Sequence, residues 1–64
     1  MTLPNEIEGL IAQIAEKLDI STKDIGLSLG TKGWLADVYL PRIKVESESK
    51  PTAFEAVSDL LSKV

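Results

Sequence analysis

The spacing of apolar residues changes period twice along this chain, and that limits what it can fold into. The last stretch, Pro51 to Val64, places Ala53, Ala56, Val57, Leu60, Leu61 and Val64 three and four residues apart. This is the spacing of one apolar stripe on a helix. Phe54 falls beside that stripe, near Val57 and Leu61. Thr52 precedes Glu55 by three residues, the spacing of a capping box, in which the Thr hydroxyl and the Glu carboxylate each accept from the other's backbone amide. So short an amphipathic helix is marginal by itself and needs an apolar surface to lie on.

The first stretch has the same period. Leu3, Ile7, Leu10, Ile11, Ile14 and Leu18 mark one face, and Glu6, Glu8, Gln13, Glu16 and Lys17 the others. Thr2 is placed to cap this helix, and Pro4 suits its first turn. Gly9 weakens the helix relative to alanine; it is either simply tolerated or a place where another backbone comes close. Ser21 and Asp24 repeat the capping spacing over Thr22 to Ile25, which predicts either one helical turn or a polar connector.

Between the two helices the period is 2. Ile25, Leu27 and Leu29 alternate with Gly26, Ser28 and Gly30. The glycines leave that second face thin, as a bulge or the close approach of another group would require. Thr31, Lys32 and Gly33 form a hairpin loop with its glycine late. Trp34, Ala36, Val38 and Leu40 then share the inner face, and Leu35, Asp37 and Tyr39 the outer. Pro41 lacks the donor a ladder needs, so Pro41-Arg42 marks a turn, a bulge or an edge. Ile43 and Val45 resume the alternation, as a third strand or a bent continuation of the second. The run Glu46 to Pro51 reads as a solvated loop.

The expected fold is therefore α+β: a single domain over residues 1–64, in which two helices roof one face of two or three antiparallel strands as a two-layer sandwich. Sixty-four residues give a thin core.

Composition narrows the functions. The chain has no cysteine and no histidine. Disulfide support, thiol chemistry, zinc sites of the Cys/His kind and histidine acid–base catalysis are thereby excluded. A cytoplasmic location is expected, with no signal peptide, no membrane span and no cofactor. Glu46 and Glu48 share a face if extended, but lie in a polar run where nothing would desolvate them. Asp19 and Asp24 lack the ligand density of a calcium loop. The glycines of GLSLGTKGW have no Gly-Lys-Ser/Thr run and open no helix, unlike a phosphate cradle. An enzyme is not expected.

The net charge is −3, with the basic residues scattered, and this argues against a nucleic-acid partner. Trp34 reads as core. Leu35 and Tyr39, apolar on the outer face beside the thin strip at Ser28, read as a protein interface, most simply with a second copy of the chain. Sheet edges offer a second route to pairing between copies.

The segment SKPTAFEAVSDLLSKV, following the strands, resembles the closing helix of the double-stranded-RNA-binding domain through Ser49, Lys50, Ala53, Ala56, Val57 and Leu61. Pro51 and Phe54 stand where that family has two further phosphate-binding lysines, and Gly30-Thr31-Lys32-Gly33 replaces its Gly-Pro-x-His loop. The resemblance implies the same element order and, as the alternative function, nucleic-acid binding by Lys50 with Lys32 or Lys44. The stretch WLADVYLPRIKVES, with the T-x-x-E-A start at Thr52 to Ala56, is also similar to HicB-type antitoxins and to small phage or prokaryotic proteins of like plan. That implies a hairpin followed by a capped helix, and a protein-binding role.

Overall fold

In a computed structural model of the protein, which describes residues 5–64, the chain runs helix, three antiparallel strands, helix. Helix α1 spans Asn5–Leu18 and a 3-10 turn spans Thr22–Asp24. Strands β1, β2 and β3 span Ile25–Gly30, Gly33–Tyr39 and Lys44–Glu46, and helix α2 spans Ala53–Ser62. This is the expected α+β arrangement, with the third strand present. The expected cap at Thr2, Pro4 in the first turn and Leu3 on the apolar face lie outside the described residues.

The helical stripes do what their spacing predicts. Ile7, Ile11, Ile14 and Ala15 of α1 meet Ala56, Val57 and Leu60 of α2 and Ile25, Ala36 and Val38 of the sheet in one buried cluster. Helix α2 packs over β2, and α1 packs against α2. Trp34, Leu40, Ile43 and Val45 are half-buried at the margin of this core. Gly9 is exposed, and a Cβ there would enter open space, so it is a tolerated glycine.

Helix α1 stops at a feature that its apolar period does not carry. Asp19 takes φ 56°, its amide donates to Glu16 O (3.3 Å), and the Ile20 amide reaches back to Ala15 O (3.0 Å). This pair of bonds is a Schellman C-cap, with aspartate in the left-handed position that glycine usually fills. Ser21 then opens the 3-10 turn, but its side chain forms no capping bond. At α2 the Thr52 hydroxyl does accept from the Glu55 amide (3.2 Å).

The sheet order is β1-β2-β3. Ile25 pairs with Val38, Leu27 with Ala36 and Leu29 with Trp34, which puts those six on the inner face. Leu29 shares the inner face with Ile25 and Leu27, yet it is 65% exposed. Only α2 packs closely on the sheet, over β2, while α1 packs on α2, so the far end of β1 is left uncovered. Thr31-Lys32 joins β1 to β2, and Gly33, at φ 122°, completes the turn. Pro41-Arg42 is the turn into β3, closed by mutual backbone bonds between Leu40 and Ile43 (2.8 and 3.2 Å).

The stretch after β3 is a correction to the expected solvated loop. Glu46 pairs with Asp37 and Lys50 with Trp34, so four steps on one side match three on β2. One extra residue has been inserted, a β-bulge. Ser47 sits in it, 3% exposed. Its amide donates to Ala36 O (2.7 Å), and its Oγ accepts from the Ala36 amide (2.9 Å). The side chain thus fills the place of a missing ladder carbonyl.

Candidate interaction surface of the sheet

Because both helices lie on one side, no element among the described residues roofs the other face of the sheet. Alternation puts Gly26, Ser28 and Gly30 of β1 there, with Leu35, Asp37 and Tyr39 of β2 and Lys44 and Glu46 of β3. Ser28 and Leu35 are directly opposed, so two of the residues read as an interface are neighbours. Tyr39 is 69% exposed and opposes Lys44. Leu35 is half-buried, not fully exposed. Four residues along a strand separate Leu35 from Tyr39 by about 13 Å. An acidic row fills the gap, for Asp37 directly opposes Glu46. Like charges so placed repel. The Asp37 carboxylate leans the other way, over Gly26, where it occupies the space a Cβ would need. That accounts for the thin strip on β1: Gly26 makes room for Asp37.

The lysines of the nucleic-acid alternative are not gathered. Lys32 lies in the β1–β2 turn, and Lys44 lies at the opposite end of the sheet beside Tyr39. Lys50 shares the Lys32 end, since its backbone packs on Gly33, but its ammonium faces Glu48 at 3.8 Å. Ala56 and Val57, which carry part of the RNA-binding resemblance, are fully buried, so core packing accounts for their identity.

The two edges of the sheet differ. Edge β3 is only three residues long, carries Lys44 and Glu46, and ends in the bulge. Two outward polar groups at its end are also capped. Lys63 Nζ donates to Glu46 O (3.3 Å), and the Glu48 amide donates to Asp59 Oδ2 (2.9 Å), while Lys63 and Asp59 pair at 3.2 Å. The Glu48 amide, more than the Lys63 charge, holds the Asp59 carboxyl below its ordinary range against an opposing loss of hydration. Asp59 is thus a fastener between α2 and the end of β3. Short length, charge and a bulge are the devices that keep an edge from pairing with other chains.

Edge β1 has none of these. It is six residues long, IGLSLG, with no charge and no proline. Between it and α1 lies an open groove of about 440 Å³, lined by Glu8, Ile11, Thr22, Lys23, Ile25 and Leu27. Ile11, Ile25 and Leu27 form one wall and Glu8, Thr22 and Lys23 the rest, with no convergent set of acid, base and nucleophile. Among the described residues, no group of three or more Asp or Glu side chains is placed to hold a metal ion. Neither Asp37 and Glu46 nor the groove was legible as a unit in the sequence, because both depend on strand register and on where α1 lies.

No protein-family model, curated protein or solved structure matches this chain.

Proposed function

We propose that the chain is a small non-enzymatic protein-interaction module that associates with a second copy of itself through its sheet. The observation that carries this is the asymmetry of the sheet among the described residues: helices cover one face only, and an uncharged six-residue strand stands open at one side. Ser28, Leu35 and Tyr39 all lie on the uncovered face. A non-catalytic role is supported by the lack of histidine and cysteine and by Asp59, whose displaced carboxyl is accounted for by structural bonds.

Light scattering with sedimentation, over roughly 1 μM to 1 mM protein, tests the proposal. A mass above that of one chain is expected. A strict monomer over the whole range removes it. Tyr39→Glu then sorts the contact: it lowers the mass if the uncovered face is the interface and leaves it unchanged if an edge is.

A further inference from the structure

We propose that two copies join edge to edge through β1, antiparallel, with a two-fold axis at Ser28, to make one continuous sheet of two copies. This rests on the self-association proposed above and names its site.

Backbone geometry comes first. Trp34, Ala36 and Leu40 turn their amide and carbonyl groups toward the β3 side, to Lys50, Ser47 and Ile43. Peptide directions alternate along a strand, so Leu35 and Asp37 turn theirs toward Ser28 and Gly26 of β1. The peptide groups of Ile25, Leu27 and Leu29 therefore face the open side, and no strand among the described residues pairs with them. An added antiparallel strand would satisfy them.

Side chains then restrict the register. A two-fold axis that relates adjacent antiparallel strands stands perpendicular to the sheet, so both copies keep their helices on the same side. Inner-face residues must oppose inner-face residues, which permits an axis at Leu27 or at Ser28 but not between them. Charge selects Ser28. With the axis there, Asp24, which closes the 3-10 turn just before β1, comes to the end of the interface where Lys32 of the other copy stands in the β1–β2 turn, twice per dimer, whereas an axis at Leu27 carries Asp24 back to Gly30, two residues short of it. The same register opposes Leu27 with Leu29 of the second copy. Leu29, 65% exposed on one chain, is carried to the Ile11, Ile25 and Leu27 wall of the groove on the other, whose rim holds Glu8, Thr22 and Lys23, and the exchange is reciprocal. Such a knob and its matching recess on the same chain are what an isologous interface requires.

Cysteine crosslinking tests this directly, because the chain has no cysteine of its own. Ser28 turns its peptide groups toward β2, so the two Ser28 residues would form a non-hydrogen-bonded pair, with Cα atoms about 4.5 Å apart, within disulfide range. Ser28 is exposed, and Ser28→Cys leaves the core untouched. Mild oxidation is expected to turn this variant into a covalent dimer, while Thr31→Cys, which would face Ile25, does not crosslink. Charge reversal gives a second measurement. Asp24→Lys or Lys32→Asp alone is expected to weaken the dimer roughly tenfold, and an equimolar mixture of the two recovers it as a heterodimer. Within one chain these residues lie about 25 Å apart, too far to compensate each other. A parent chain that dimerises while Ser28→Cys stays uncrosslinked, or while the mixture fails to recover, overturns the β1 edge and leaves self-association standing. A parent that is monomeric throughout overturns both.

Discussion

The Ser47 hydroxyl accepts a hydrogen bond from the Ala36 amide at 2.9 Å, and the Ser47 amide donates to the Ala36 carbonyl at 2.7 Å. A side chain and a backbone group of one residue thus take both rungs offered by Ala36, at the point where β3 leaves the ladder. Ala36 is itself fully buried, so water cannot replace either rung.

Ser47→Ala should therefore be expensive for so small a change. It leaves the Ala36 amide without an acceptor in a dry site, a loss of about 1–3 kcal/mol by urea or guanidinium denaturation. Ser49→Ala, two residues on and exposed, should stay within about 0.5 kcal/mol. Equal effects at the two positions would refute the role given to Ser47.

Gly33 has two independent reasons to be glycine. Its φ of 122° is outside the range that side chains tolerate, and a Cβ would run into the Lys50 carbonyl and its carbon. That obstacle is backbone, pinned by mutual bonds between Trp34 and Lys50 (2.7 and 2.9 Å), and cannot swing aside. Gly33→Ala is expected to lower stability by about 2 kcal/mol or more, read as a drop in thermal midpoint.

Gly9 is the opposite case. It lies mid-helix, exposed, with open space where a Cβ would go. Gly9→Ala should raise stability by roughly 0.5–1 kcal/mol through the unfolded chain's lost freedom, with no change in association. A destabilising result would mean that something packs on this face of α1.

Asp59 makes the fold sensitive to acid. Its folded carboxyl is held below the ordinary value of 3.8, first by the Glu48 amide and then by Lys63. A depressed carboxyl contributes stability in full above its unfolded pKa and loses it as pH falls through the lower, folded value. The stability gap between the parent and Asp59→Asn should therefore be widest near about pH 5 and shrink toward about pH 2. Paired denaturation curves at the two pH values check this, and a gap that does not narrow would show that Asp59 acts only through its shape.

Much of this architecture was legible in the periodicities. Ile7, Ile11, Ile14, Val57 and Leu60 lie on the faces their spacing assigns, and the change to period 2 at Ile25 coincides with the first residue of β1. Leu29 shows where the pattern runs out: alternation fixes which face a side chain takes, but the extent of the helices decides whether anything covers it. Ser47 shows a second limit. Within the run Glu-Ser-Glu-Ser it reads as solvated, and its burial follows from a one-residue bulge against Ala36, a partner eleven positions away. Asp19 is a third. An aspartate at the end of an apolar stripe is compatible with many turns, and only the bonds to Glu16 and Ala15 identify this one. The surface is less legible still. The spacing names Ser28, Leu35 and Tyr39, but register alone sets Asp37 against Glu46 between the last two.

Lys63 stands almost at the end of the chain, yet it grips the carbonyl of Glu46 and the carboxylate of Asp59. Just before α2, Lys50 is fastened to Trp34 in the central strand. A load applied at Val64 therefore meets the rim of the sheet first, through Lys63, and reaches the central strand only at Lys50, on the far side of the helix. The closing helix is thus tied at both ends, its last turn to Glu46 and its leading segment to Trp34, and pulling it off completely ends by stripping the Trp34–Lys50 rungs from the central strand.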